Sequence, residues 1–112
     1  MGYKRLAVTV ASADDAEYLR KRYGDVLSIY AVHTTGISEE DARRYYDYAD
    51  VITACASKWV REVAKERALI QAGRKVPVYG ASEFGERIIR LKLEELGKEP
   101  DTILDEDPEP LV

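Results

Sequence analysis

VLSIYAVHTTGISEEDARRYYDYADVITACAS, residues Val26 to Ser57, is the stretch whose reading decides the fold. It opens with Val26 to His33, an almost continuous apolar run of the kind that suits a parallel strand covered on both faces. The turn TTG follows. Ser38 with Glu39, Glu40 and Asp41 then combines an N-cap with acids suited to the positive end of a helix dipole, and predicts a helix to about Tyr48. A second apolar run, Val51 to Ala56, comes directly after. A strand, a helix and another strand in that order call for a right-handed crossover between parallel strands.

The same unit repeats on either side. Upstream, a strand is predicted over Arg5 to Ala11 and a helix over Ala13 to Tyr23, stopped by Gly24. Downstream, Ser57 caps a helix predicted to run from Lys58 to Ala72, with Gly73 as its stop. A short strand from Val76 to Tyr79 carries Pro77, whose missing N–H argues for a sheet edge. The last helix, Glu83 to Leu96, places Phe84, Ile88 and Leu91 beside Ile89, Leu93 and Leu96 in a broad apolar stripe.

Four repeats predict an α/β fold: a three-layer sandwich around a four-stranded parallel sheet, Rossmann-like or flavodoxin-like. Thr102 to Leu104 offers a possible fifth strand. The pattern leaves two strand orders open, 2-1-3-4 and 3-2-1-4. Residues 1–97 read as one domain and residues 98–112 as an acidic, proline-rich tail.

The chain of 112 residues, 46% hydrophobic and 34% charged, has the composition of a soluble globular protein. Its 17 basic residues face 21 acidic ones, for a net charge of -4, with no basic block. A nucleic-acid partner and an anionic membrane are therefore not expected. No run is long enough for a membrane span and no signal pattern opens the chain, so the expected location is the cytoplasm. The absence of Asn, with a single Gln and abundant Glu, Lys, Arg and Tyr, suits a thermophilic source. One Cys and one His cannot close a zinc site without several carboxylates, so no metal is expected, and the sequence leaves any cofactor unknown.

In an open parallel sheet ligands sit beyond the carboxyl ends of the strands, against helix N-termini. Four junctions are therefore candidates, and they supply Ser12, Thr34, Thr35, Gly36, Ser57, Lys58 and Ser82 as ligand-binding residues. Acids already occupy the first turns of the first two helices. The third helix start has none and carries Lys58 and Arg61, which makes it the best place for a small anionic molecule. The recurrent Ala-Ser before a helix is explained by serine's ability to cap and alanine's fit in a tight junction.

Cys55 lies at this junction, where a helix N-terminus and basic neighbours lower a thiol's pKa. An enzyme with Cys55 as nucleophile, His33 as base and Arg61 as anion clamp is the alternative function. The Cys-five residues-Arg spacing matches that of cysteine phosphatases, yet the intervening loop lacks the glycine a phosphate cradle needs, and ten arginines make such a spacing common by chance. A buried, inert Cys55 is the plain reading. A third possibility is a subunit or assembly module acting through a Tyr-rich helix and the acidic tail. Tyr45, Tyr46 and Tyr48 share one helical turn, and any ring surface left over from the core suits a homodimer contact.

The strings AVTVASADDA (residues 7–16), AVHTTGISEEDA (31–42) and VITACASKWVREVAKERALIQAGRKVPVYGASE (51–83) resemble an archaeal family, methanogenesis marker protein eight. The resemblance covers nearly all of the chain up to the last helix. Members of that family are longer, and this chain is similar to their C-terminal part. The family is functionally uncharacterised, so the resemblance implies an archaeal, cytoplasmic setting and carries no catalytic residue with it.

Overall fold

The computed structural model describes residues 6–32, 34–54, 57–73 and 77–100. The order of elements is β1 (Leu6–Val10), α1 (Ala13–Tyr23), a 3-10 turn (Gly24–Val26), β2 (Leu27–Ala31), α2 (Glu39–Tyr48), β3 (Val51–Thr53), α3 (Lys58–Arg67), β4 (Ile70–Ala72), β5 (Val78–Gly80) and α4 (Glu83–Leu96). Each helix starts where a serine side chain accepts a backbone N–H three residues on: Ser12 from Asp15, Ser38 from Asp41, Ser57 from Val60 and Ser82 from Gly85. These bonds satisfy donors that a helix start otherwise leaves unpaired. Gly97, at φ 69°, closes α4 in the left-handed conformation that glycine adopts without penalty.

Two expectations are corrected. The sheet is five-stranded and mixed, in the order β1-β2-β3-β5-β4. β1, β2 and β3 are parallel, whereas β5 is antiparallel to both β3 and β4. Neither 2-1-3-4 nor 3-2-1-4 is formed, and the all-parallel Rossmann-like or flavodoxin-like arrangement is replaced by an α/β fold with a mixed sheet. The second correction explains the first. The helix predicted to reach Ala72 stops at Arg67, and Ile70–Ala72 becomes a strand. Only five residues, 73–77, then separate β4 from β5, too few for the crossover that parallel neighbours require. Pro77 does not mark an edge: it precedes β5, an interior strand, and its carbonyl accepts the Ala54 N–H at 2.8 Å. The suggested strand at Thr102 to Leu104 lies outside the described residues.

Because β1 to β4 advance across the sheet in one sense, the right-handed rule sends α1, α2 and α3 to the same face. Their core there is Val10, Leu27, Ile29, Ile52 and Tyr79 from the strands against Ala16, Ala42, Tyr45, Tyr46, Val60 and Val63 from the helices. Tyr45 and Tyr46 are thus buried inside the chain and Tyr48 is half-buried, so α2 does not present the tyrosine-rich surface that motivated a homodimer through it. The helices are also joined at their surface. Arg44 of α2 pairs with Asp14 and Glu17 of α1, and Arg43 and Arg67 link α2 to α3 through Glu66 and Asp47.

Among the described residues α4 is the one helix on the second face, where Ile89 and Leu93 pack on Val51 and Ile70. It sits close to the sheet at two glycines. A Cβ on Gly80 would fall 2.9 Å from the Glu86 nitrogen, and one on Gly85 would fall 2.7 Å from the Asp50 carbonyl carbon. Both are shorter than ordinary contact, so any side chain there would push helix and sheet apart.

Candidate functional site

Three strands, β1, β2 and β3, deliver their carboxyl ends to one rim, and the N-termini of α1, α2 and α3 follow them there. The rim is tied across its middle. The buried Thr34 hydroxyl lies 2.7 Å from the Thr53 carbonyl and 2.9 Å from that of Ala54, donating between them, and Val32 N–H reaches the Val10 carbonyl at 3.0 Å. Thr34 therefore holds the exit of β2 against the exit of β3. Its proton is spent inside the fold.

The other predicted ligand residues take separate places. Ser57 is buried, its hydroxyl engaged as the α3 cap. Ser12 is half-exposed, and Thr35 and Gly36 are exposed on the turn after β2, where Gly36 adopts φ 78°. Lys58 is exposed in the first turn of α3, its ammonium 5.0 Å from the centre of the Trp59 ring, a cation–π distance. Arg61, one turn further on, is half-buried. His33 and Cys55 lie outside the described residues, although their chain neighbours Thr34 and Ala54 are bonded to each other.

Ser82 belongs elsewhere, which corrects the expectation that all four junctions share one rim. Because β5 runs antiparallel, the start of α4 emerges at the opposite end of the sheet from Ser12 and Ser57. There Ser82 Oγ donates to Asp50 Oδ1 at 2.7 Å. The buried Asp50 also accepts Arg20 Nη2 at 2.6 Å and the Ile29 N–H at 2.8 Å, both on Oδ2. Arg20 directs three further donors to the carbonyls of Tyr48, Gly24 and Leu27. This constellation joins α1, β2, β3 and α4 through one carboxylate. Sequence reasoning missed it. The available signal was an acid standing directly before an apolar strand, DVIT, and nothing local names its partners.

Electrostatically the two ends also differ. α1 has Asp14 and Asp15 in its first turn, α2 has Glu39, Glu40 and Asp41, and α4 has Glu83 and Glu86; α3 has no acid there. The hydrogen bond from Lys21, followed by that from Arg44, holds the Glu17 carboxyl below its usual range. Burial raises the Tyr46 phenol well above its ordinary value, and the Tyr45 and Tyr79 phenols also rise, chiefly through burial. The Arg61 charge works against that rise at Tyr79. Among the described residues no helix is long and apolar enough to cross a membrane.

Residues 1–94 match the model of a family described as an uncharacterized protein conserved in archaea (DUF2099). This chain belongs to that family. A curated relative, the uncharacterized protein MJ0054 of Methanocaldococcus jannaschii, is 38% identical over 102 residues, which are 88% of this chain and 35% of the relative. The chain thus spans about a third of the length of the curated relative it matches. No solved structure matches it. Members of the DUF2099 family are archaeal by that description, and the function of the family is unknown.

Proposed function

We propose that this DUF2099 domain binds a small anionic molecule at the carboxyl rim of β1, β2 and β3, centred on the first turn of α3. The observation that carries the reading is the contrast among helix starts. Of the three that share the rim, only α3 lacks acids in its first turn, and it adds Lys58. The amides of a helix N-terminus and one exposed ammonium suit a phosphate or carboxylate. The exposed Thr35–Gly36 turn and Ser12 flank that position on the neighbouring strand ends. Swinging off the Trp59 ring would bring the Lys58 ammonium to the ligand.

The test is a titration with inorganic phosphate and with nucleoside phosphates at low salt, followed by backbone amide shifts. Saturable shifts at Ser57 to Val60 are expected, with Lys58→Glu weakening binding by about fivefold or more, the scale of a helix-end charge interaction. Shifts that are absent there at millimolar ligand would remove the reading.

A second reading keeps Cys55 as a nucleophile assisted by His33, with Arg61 as anion clamp. It is favoured by the Thr34 bridge, which ties the residue after His33 to the carbonyl of the residue before Cys55. Its test is the alkylation rate of the single thiol against pH. An activated cysteine reacts fully below the ordinary thiol range of about 8.5, and an inert one does not. The identity of the family with methanogenesis marker protein eight belongs to the same proposal, supported by archaeal membership and by the greater length of the relative. A thermophilic setting is supported by the ion pairs that join α1, α2 and α3, since such networks gain weight at high temperature.

A further inference from the structure

β1 is an edge of the sheet: among the described residues only β2 pairs with it. Its sequence, LAVTV from Leu6 to Val10, carries no charge and no proline, the residues that keep an edge strand from pairing with another chain. Ala7 and Thr9 are exposed, and Leu6 is 67% exposed. One bond fixes which backbone groups are free for pairing. The Val10 carbonyl accepts the Val32 N–H, so Val10 turns its backbone toward β2, and by alternation Val8 and Leu6 do the same. The N–H and C=O groups of Ala7 and Thr9 therefore point outward from the sheet. Antiparallel pairing of two copies, with Ala7 of each opposite Thr9 of the other, uses every one of these groups about a twofold axis at Val8. A shift of two residues in either direction loses half of the bonds.

The charges on α1 say which partner this edge fits. One flank of α1 meets α2, where Glu17 pairs with Arg44 and Lys21 lies over the Tyr48 ring. The opposite flank overhangs β1 and carries Asp15, Leu19, Arg22 and Tyr23, spaced i, i+4, i+7 and i+8. Asp15, Arg22 and Tyr23 are exposed there, and Leu19 is half-buried against the core. The axis at Val8 brings two α1 helices side by side and antiparallel. The Asp15 end of each then lies beside the Arg22 end of the other, with the two Leu19 side chains between. The spacing agrees: helices seated over β1 and β2 on either side of a new strand pair, at about 4.8 Å per strand, lie roughly 10 Å apart, an ordinary distance for packed helices. On the same face the pairing sets Leu6 opposite Val10 of the second copy. We propose that this chain forms a twofold dimer through β1, its two sheets joined edge to edge and its two α1 helices packed above the seam. The anion site proposed at α3 lies two strands away and stays open in both copies.

Sedimentation equilibrium of this chain from micromolar to millimolar concentration tests the proposal, and a monomer–dimer equilibrium is expected. Thr9→Pro removes an outward N–H and leaves the bonds to β2 in place. It should weaken dimerisation by roughly tenfold or more, because the twofold axis doubles each lost hydrogen bond. Asp15→Arg and Arg22→Asp should each weaken it by roughly fivefold, and the two together should restore the parental value. That restoration is the readout a structural role of either residue would not give. Arg87→Ala, on the exposed side of α4, should leave dimerisation unchanged. Circular dichroism at a monomeric concentration separates a folding defect from lost pairing, and should Thr9→Pro fail to fold, the charge reversals decide the question.

Three results would overturn the proposal. One is a chain that stays monomeric at millimolar concentration. Another is a dimer unmoved by Thr9→Pro and by both single reversals, which would place the contact elsewhere on the surface. The last is a double reversal that dimerises more weakly than either single variant, since antiparallel α1 helices require the two changes to compensate.

Discussion

Replacing Gly85 by alanine tests the tertiary reading most directly, because local and tertiary physics predict opposite signs. Gly85 is the only glycine inside an α-helix among the described residues. On propensity alone, Gly85→Ala should stabilise α4 by about 1 kcal/mol. The structure predicts the reverse. The new Cβ would lie 2.7 Å from the Asp50 carbonyl carbon, whereas carbon atoms rest comfortably at about 3.5 Å or more. To make room, α4 must retreat by roughly 1 Å, and overpacking of this kind costs about 1–3 kcal/mol. The same movement stretches the Ala81 N–H bond to the Asp50 carbonyl, now 2.8 Å, and the Ser82 bond to the Asp50 carboxylate, now 2.7 Å. Those two are together worth about 2–4 kcal/mol, the second being charge-assisted.

Setting the helical gain against these losses brackets the net destabilisation at about 2–6 kcal/mol, and about 3 kcal/mol is expected because the two bonds are stretched and not broken. For a domain near this size that lowers the melting temperature by about 10–20 °C. Thermal unfolding followed by circular dichroism, with urea titration to confirm an unchanged slope, measures it. Arg87→Ala, one turn from Gly85's neighbour Phe84 and exposed, is the control, with an expected change within about 0.5 kcal/mol. A Gly85→Ala protein as stable as the parent, or more so, would show that α4 does not approach Asp50 as described.

Further outcomes follow from the same contacts. Asp50→Ala leaves Arg20 in a largely buried pocket without its carboxylate and should cost about 3–5 kcal/mol by urea unfolding; a loss under about 1 kcal/mol would mean the pair is not formed in solution. Because the folded chain holds the Glu17 carboxyl below its ordinary range, its contribution is complete above the unfolded value and fades as pH falls through the folded one, so Glu17→Gln should flatten the acid limb of a stability–pH curve and leave the alkaline limb unchanged. The buried phenols have the opposite sign: Tyr45, Tyr46 and Tyr79 favour the fold below the ordinary tyrosine value of about 10 and lose that contribution above it. In an alkaline absorbance titration these three should ionise only as the chain unfolds; their ionisation in the still-folded chain would contradict their burial.

How much could be read in advance differs by element. Helices α1, α2 and α4 were legible to the residue because their signals are local: a serine cap, acids in the first turn, and glycine or a polar break at the end. The candidate rim was legible in part. Ser12, Ser57 and Lys58 follow parallel strands, so the rule that places helix starts beyond the carboxyl ends holds for them. It failed at Ser82, whose strand runs the other way, and gave no warning of Arg20 and Asp50, which are 30 residues apart and meet only in the folded chain. The tyrosines of α2 misled for a related reason. Periodicity gives the direction of a side chain, but the depth of the layer that receives Tyr45 and Tyr46 depends on α3, with the Tyr46 hydroxyl donating to the Val60 carbonyl at 2.9 Å.

By itself, then, the sequence determined what is written in neighbouring residues: the helix starts, the burial of β2, the α/β class and the acid-free first turn of α3. Tertiary structure alone decided the end of α3, the strand Ile70–Ala72 and the direction of β5. The ERALIQA segment satisfies a helical pattern as well as an extended one. What selects the strand is pairing with Val78–Gly80, which in turn pairs with Val51–Thr53. Backbone hydrogen bonds between distant segments have no signature in either segment's own side chains, and a three-residue strand carries too little periodicity to announce itself.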